Sequence, residues 1–324
     1  NNRDKNFTRA KMKRRLAEVE ASIDRYLAQM READRQAPVD EDAEGLQDKV
    51  ARLREEMSRL KKLEARMLAA PDKQVSLTDP DARSMNARGS GVVGYNVQAA
   101  VDAQHHLIVE HEVTNKGSDR RQLTRMAEKA RAAIDTETLS VVADRGYYRA
   151  EELRACEQSG ITVYVPKPET SGNKAKGLFD RRDFRYVAED DEYECPAGER
   201  LVRHMTRNEN GMVLHRYWTS VCPRCPIKAQ CTTGKERRVS RWEHEDVLER
   251  AQQRLEENPD VMRLRRSVAE HPFGTLKAWM GVTHFSMKRL KHVSTEMSLH
   301  VLAWNMKRAM NLVGTRQLIA AIRA

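Results

Sequence analysis

Three acids in this 324-residue chain stand in settings that could do chemistry: Asp102, Asp144 and Glu270. Asp102 closes the segment Gly94-Tyr-Asn-Val-Gln-Ala-Ala-Val-Asp102, where Tyr95, Val97, Ala99 and Val101 alternate with Asn96, Gln98, Ala100 and Asp102. That alternation predicts a strand carrying Asp102 at its C-terminal end, on the polar face. Asp144 follows Leu139-Ser-Val-Val-Ala143, a short apolar run that reads as a buried strand. Glu270 stands in Arg266-Ser-Val-Ala-Glu270-His-Pro-Phe-Gly-Thr-Leu-Lys277, a single acid in a run of bases. A lone carboxylate inside such a field can serve as a metal ligand beside a phosphate-binding surface. The plainer readings are a structural ion-pair partner for Glu270 and a turn former or helix N-cap for each Asp.

Charge and spacing bear on that choice. Residues 261–324 hold eleven Lys and Arg against two Glu, a net of +9 out of +10 for the whole chain. The positive field therefore sits in the C-terminal fifth, with a further basic cluster at Lys288-Arg289-Leu-Lys291. Arg266 and Glu270 are one helical turn apart and Lys277 is two turns further on, so a helix would align them on one face. Pro272 predicts a kink or a break within that helix.

The pattern Arg266-x3-Glu270-x6-Lys277 resembles a known signature. It occurs with Tyr95-Asn-Val-Gln98, Val101-Asp102 and Ala143-Asp144-Arg-Gly-Tyr147. Together these motifs are similar to those of bacterial insertion-sequence transposases of the DDE class, over roughly residues 75–315. The family's fuller signature begins with a Tyr three residues before the Arg, where this chain has Arg263. The resemblance implies a DNA transposase whose acid triad is Asp102, Asp144 and Glu270. It implies two Mg2+ (or Mn2+) ions held by those carboxylates, which activate first water and then a DNA 3′-hydroxyl. Arg263, Arg266 and Lys277, with Lys288, Arg289 and Lys291, would hold the phosphate backbone of double-stranded DNA, at the element's ends and at its target. A homodimer is expected.

Between Asp144 and Glu270 lie 125 residues, far more than one helix and one strand need, so an insertion is expected. Within it, Leu201–Thr206 and Met212–Tyr217 flank Asn210-Gly211, a strong hairpin signal. Around that hairpin stand Cys195, Cys222-Pro-Arg-Cys225 and Cys231. A Cys-x2-Cys knuckle is the common half of a zinc site, and two further Cys could complete four thiolates. The gaps of 26 and 5 residues are irregular, which leaves room for His204 or His215 as a substitute ligand. An iron–sulfur cluster and unligated thiols are the other readings. Cys156 stands alone on a helix and reads as core.

The elements that must position these residues follow from periodicity. Leu16, Val19, Ile23, Tyr26 and Met30 form one a/d seam, and Leu46, Val50, Leu53, Met57, Leu60 and Met67 form another. Pro38 and Gly45 separate the two seams, which predicts an antiparallel hairpin serving as a coiled-coil spacer or oligomerisation arm. Residues 71–93, with Pro71, Pro80, Gly89 and Gly91, read as irregular. After the strand ending at Asp102 comes its hairpin partner over Leu107–Val113, and then a helix from about Asp119 to Ile134. The strand before Asp144, a helix near Ala150–Ser159 and a strand at Ile161–Val165 continue the alternation. A last helix over 294–313 shows Leu299, Leu302, Met306 and Met310 as its core-facing stripe, with Trp304 offset and Lys307 and Arg308 on the other side.

The expected fold class is α/β: a ribonuclease-H-like mixed sheet flanked by helices, with an inserted zinc-ribbon-like β subdomain and an N-terminal helical hairpin. The expected division is 1–70 for the helices, 71–165 and 246–324 for the catalytic domain, and 166–245 for the insertion. No run approaches the roughly 18–20 apolar residues of a membrane span, and Asn1-Asn-Arg-Asp-Lys-Asn lacks a signal-peptide core. A cytoplasmic, nucleoid-associated protein is expected. A chain starting at Asn1, with its first Met at Met12, is compatible with a fragment. Two rival readings are a transposase-derived DNA-binding protein that no longer cuts and a coiled-coil scaffold.

Overall fold

The computed structural model describes residues 3–36, 42–87, 90–169, 171–281 and 283–323. Pro38 and Gly89, taken above as breakers, lie outside them. The chain divides into two units, one of residues 1–119 and 267–324, the other of residues 120–266.

The first unit opens with β1 (Asn6–Thr8), α1 (Arg9–Gln36) and α2 (Asp42–Ala69), followed by β2 (Gln74–Ser76), which pairs antiparallel with β1. Phe7, Met12, Val19, Leu60, Leu63 and Met67 are buried between the helices, with Leu16, Ile23, Leu53 and Met57 packed around them. The ion pair Arg15–Glu56 crosses between them at 2.8 Å, and the β1–β2 pairing, which joins the start of α1 to the end of α2, sets the helices antiparallel. Gly45 lies within α2.

Two segments within the stretch that the sequence reads as irregular are strands. β3 (Arg83–Ala87) pairs antiparallel with β4 (Ser90–Gly94), because local pairing satisfies the backbone despite the weak apolar pattern. β5 (Asn96–Val101) and β6 (Ile108–Thr114) form the next hairpin. Its turn is closed by Asp102 N donating to Leu107 O at 2.8 Å and His106 N donating to Asp102 O at 2.9 Å.

In the second unit, α3 (Leu123–Ala133) leads into β7 (Leu139–Val142), α4 (Ala150–Gln158) and β8 (Ile161–Tyr164). β7 and β8 are parallel, a pairing that needs a crossover, and α4 is that crossover. Leu123, Ala127, Leu153, Cys156, Ile161 and Val163 form their shared core. Cys156 is fully buried there, and burial pushes its thiol up to about 11.

Beyond them, β9 (Arg185–Val187), β10 (Glu192–Glu194), β11 (Arg200–Glu209), β12 (Met212–Trp218) and β13 (Val239–Trp242) make one antiparallel sheet in the order β13-β12-β11-β10-β9. The β11–β12 turn places Asn210 at φ 54° and Gly211 at φ 85°, the left-handed pair a two-residue hairpin turn requires. Phe184, Tyr193, Leu201, Tyr217 and Val239 are buried on the sheet. The fold is thus α/β with a five-stranded antiparallel sheet. α5 (Glu245–Glu257) follows β13.

α6 (Val261–Ala278) runs on through Pro272 without a break. An interior Pro costs about 3 kcal/mol. Val268, Pro272 and Leu276 are buried at four-residue spacing, and burying two such aliphatic side chains returns roughly 1.5–3 kcal/mol each. Burial therefore wins over the lost hydrogen bond.

Back in the first unit, α7 (Leu290–Val313) and α8 (Thr315–Arg323) end the described chain. α7 corrects the expected core stripe. Its buried residues are Val293, Met297, Val301 and Trp304, whereas Leu299, Leu302, Met306 and Met310 are exposed. The helix is apolar on both faces, so periodicity alone did not say which face meets β6.

Candidate active site

Asp102 lies just past the C-terminal end of β5. One carboxylate oxygen accepts from Gln104 N at 3.2 Å, and the other accepts from His105 N at 2.6 Å and lies 3.1 Å from His105 Nδ1. Burial pushes the Asp102 carboxyl up, but the His105 and Gln104 backbone donors and the His105 ring outweigh it and hold the group below its ordinary value. An ionised carboxylate with lone pairs still open can accept a further ligand.

The turn after Asp102 is clamped from two helices. His106 takes a left-handed backbone, φ 59°. Its ring stands edge-on to His271 of α6 at 5.5 Å between centroids, and His271 stands edge-on to Trp304 of α7 at 5.3 Å. Trp304 Nε1 donates to His106 O at 3.0 Å, and Arg308 Nε donates to His105 O at 2.6 Å. Glu270 is exposed on α6, immediately before His271. The first unit therefore brings Glu270's neighbour against the turn that carries Asp102.

Asp144 belongs to the second unit, at the end of β7. It N-caps a short 3-10 turn over Arg145–Tyr147, accepting from Gly146 N at 2.7 Å. Its other oxygen lies 3.3 Å from the Arg265 guanidinium. The N-cap reading of Asp144 is thus correct locally, and it leaves the carboxylate about half exposed.

The basic residues are all at the surface. Arg263, which stands where the signature has Tyr, is paired with Asp260 at 3.4 Å. Arg266 and Lys277 are exposed on α6, and Lys288, Arg289 and Lys291 are exposed around the start of α7. Cations crowding a helix N-terminus oppose the helix dipole. Here two acids offset them: Asp79 accepts from Arg289 N at 3.1 Å, and Asp81 accepts from Leu290 N at 2.9 Å. Lys307 and Arg308 are turned to Trp279 and to the His105 carbonyl.

Cys195, Cys222, Cys225 and Cys231 line one small pocket of about 20 Å³, together with Phe179 and Phe184. All four are free thiols. Burial pushes the Cys231 thiol up, Arg237 opposes it, and the three neighbouring cysteines add to it. His204 and His215 do not join them: His204 stacks on Trp218 at 4.1 Å, and His215 Nδ1 lies 2.9 Å from Thr206 Oγ1. Among the described residues no three His, Cys, Asp or Glu side chains are drawn together as a metal-holding group.

Sequence reasoning missed Arg265, His106, His271 and Asn305. Arg265 is adjacent to Arg266, and one residue along a helix turns a side chain by about 100°, so only the observed contact separates their roles. The histidines carry no spacing signal, since 165 positions separate them.

No curated protein and no solved structure matches this chain. The description of the transposase DDE domain matches residues 63–306, well over half the chain and inclusive of all three acids, and the protein belongs to that family.

Proposed function

We propose that this chain is a DNA transposase that cleaves phosphodiester bonds and transfers strands at insertion-sequence ends, with Asp102, Asp144 and Glu270 as its acid set. The observation that carries the reading is the family match together with the settings of the two aspartates. Each lies at the end of a strand, and each is held by backbone donors that leave carboxylate lone pairs available. The three acids offer only oxygen donors, which suits Mg2+ or Mn2+. Bound there, such ions would activate water and a DNA 3′-hydroxyl. His105 and Arg265 restrain Asp102 and Asp144 respectively. Arg263, Arg266, Lys277, Lys288, Arg289 and Lys291 would supply phosphate contacts. The division into helices over 1–70, catalytic segments over 71–165 and 246–324 and an insertion over 166–245 is part of the same reading.

For the insertion, the reading is one zinc ion held by Cys195, Cys222, Cys225 and Cys231. Supporting it are the shared pocket and four thiols with no disulfide. Closing four sulfurs to about 2.3 Å from one ion would tie the β10–β11 turn to the β12–β13 connection.

A second reading, a DNA-binding protein of transposase descent that no longer cuts, is favoured by one observation. No metal-holding group is assembled among the described residues. Incubating purified protein with labelled DNA carrying the element's ends, with and without Mg2+, separates the two. Mg2+-dependent nicking supports the enzyme, and binding without nicking supports the second reading. Among the described residues no helix is long and apolar enough to cross a membrane.

A further inference from the structure

α6 carries four Arg and Lys residues, of which Arg263, Arg266 and Lys277 stand exposed. Arg265 differs from them in two respects. Its side chain is 21 % exposed, and its partner comes from 121 positions away, since Arg265 Nη2 donates to Asp144 Oδ2 at 3.3 Å. Arg263, by contrast, pairs with Asp260 three residues back, and those two side chains are 87 and 84 % exposed. The fold thus carries one cation of α6 to an acid of the candidate site, and it is not the Arg of the Arg266-x3-Glu270-x6-Lys277 pattern.

The two oxygens of Asp144 are held in different ways. Oδ1 takes the Gly146 N–H at 2.7 Å, the bond that caps the 3-10 turn, whereas Oδ2 faces the guanidinium. The Asp144 side chain is 45 % exposed, and an ion pair so open to water contributes little to folding. Its position matters more than its strength. Whatever reaches Oδ2 from solution meets Arg265, and a divalent ion there would set like charges side by side. The ion and the guanidinium therefore compete for one carboxylate edge. A phosphate gives the guanidinium another acceptor, and the planar fork of Arg matches it with two parallel bonds where Asp144 Oδ2 takes one.

We propose that Arg265 is a phosphate-contacting residue of the acid site. It neutralises Asp144 in the DNA-free protein and turns to a phosphodiester when DNA binds, which leaves Asp144 Oδ2 open to a divalent ion. Charge stays balanced throughout, since Asp144 exchanges one cation for another and the guanidinium exchanges one anion for another. Arg266 is turned from Arg265 by about 100° around the helix, so the two cations have separable roles. The proposal rests on the reading of Asp144 as a member of the acid set.

Wild type, Arg265→Gln and Arg266→Gln separate these roles. In filter binding to labelled duplex DNA over a salt series without divalent ions, Arg265→Gln should lower the salt dependence by about one unit of slope. In calorimetric titration with Mn2+ and no DNA, Arg265→Gln should bind the metal roughly two- to fivefold more tightly than wild type, the size of a part-exposed ion pair. Arg266→Gln should match the wild-type Mn2+ affinity. Arg265→Lys, a point charge without the fork, should restore that affinity and recover part of the DNA binding. Equal salt slopes for Arg265→Gln and wild type, equal Mn2+ affinities, or no Mn2+ binding by either protein would each overturn the proposal. A lower melting temperature as the sole effect of Arg265→Gln would overturn it too, by marking the pair as a tie for the fold. Neither readout depends on cleavage, so a wild type that fails to nick DNA under Mg2+ counts against the cleavage reading and leaves these two measurements to decide the role of Arg265.

Discussion

Asn305 on α7 pairs with both backbone groups of Ile108: its side-chain oxygen accepts from Ile108 N at 2.9 Å, and its side-chain nitrogen donates to Ile108 O at 2.8 Å. The amide acts as a further rung on the edge of β6, two residues after His106. Because the turn before Ile108 carries Asp102, this rung and the Trp304 bond to His106 set where that acid sits.

Asn305→Ala should therefore do more than remove a contact. It leaves the Ile108 N–H and C=O without their side-chain partner in a part-buried place, a loss of about 1–3 kcal/mol. Chemical denaturation should show the lower midpoint. DNA binding should be nearly unchanged, while any cleavage activity should fall through the loosened Asp102 turn. A midpoint equal to wild type would show that water replaces the rung at no cost.

Asp102 is a turn acceptor, and in the proposed site it would also be an ionised ligand. Asp102→Asn keeps an acceptor oxygen for the short bond from His105 N and gives up the longer one from Gln104 N, since the two donors meet different oxygens, so its melting temperature should stay closer to wild type than that of Asp102→Ala. Losing the charge should lower Mg2+-dependent cleavage by roughly a hundredfold or more, since a metal's contribution is several kcal/mol. Asp102→Ala should lose the same activity and also about 1 kcal/mol of stability, the usual cost of a lost cap. Two variants of equal stability would refute the turn role.

Asp144→Asn should abolish cleavage while DNA affinity holds or rises, because a negative charge near phosphate is removed. Lys277→Ala should weaken binding and reduce the salt dependence by about one unit of slope, as for a single phosphate contact. Filter binding over a salt series measures both. Wild-type cleavage by Asp144→Asn would remove it from the acid set.

Elemental analysis of purified protein should find one zinc per chain. A chelator should loosen the Arg200–Trp218 hairpin, read as faster amide exchange there than in β7 and β8, since ligand bonding would supply part of its folding energy. Zinc-free protein with unchanged exchange would leave the four cysteines as packed thiols.

Asp191 should produce an acid limb in stability. Its backbone is left-handed, φ 53°, and one carboxylate oxygen accepts from Tyr217 at 2.6 Å and from Tyr186 at 2.8 Å. Burial pushes the carboxyl up, but the two phenols and Arg203 outweigh it, so it is held below its ordinary value. A depressed carboxyl contributes stability above its unfolded value, about 3.9, that is lost as pH falls further. The wild-type melting temperature should fall more steeply below about pH 4 than that of Asp191→Asn, which tolerates the same backbone. At pH 7 the variant should lose about 1 kcal/mol or less, as the side chain is partly solvated.

Periodicity was enough to locate the local elements. The β5–β6 hairpin, the strand before Asp144, α4 and the Asn210-Gly211 turn all form where alternation and turn chemistry put them, because strand and turn preferences act over a few residues. The seams of α1 and α2 were legible for the same reason. What local pattern could not decide was which of two apolar faces on α7 would be buried, because Val293–Trp304 and Leu299–Met310 are equally hydrophobic and only β6 and α6 select between them. Nor could it find Asn305 on Ile108, Arg265 on Asp144, or Asp79 and Asp81 at the start of α7, pairs separated by 121 to 210 residues. The sequence by itself determined the acids, the bases and the strands and helices that carry them. The tertiary structure decided which backbone groups those side chains satisfy, since a buried N–H or C=O takes whatever partner the packing brings to it.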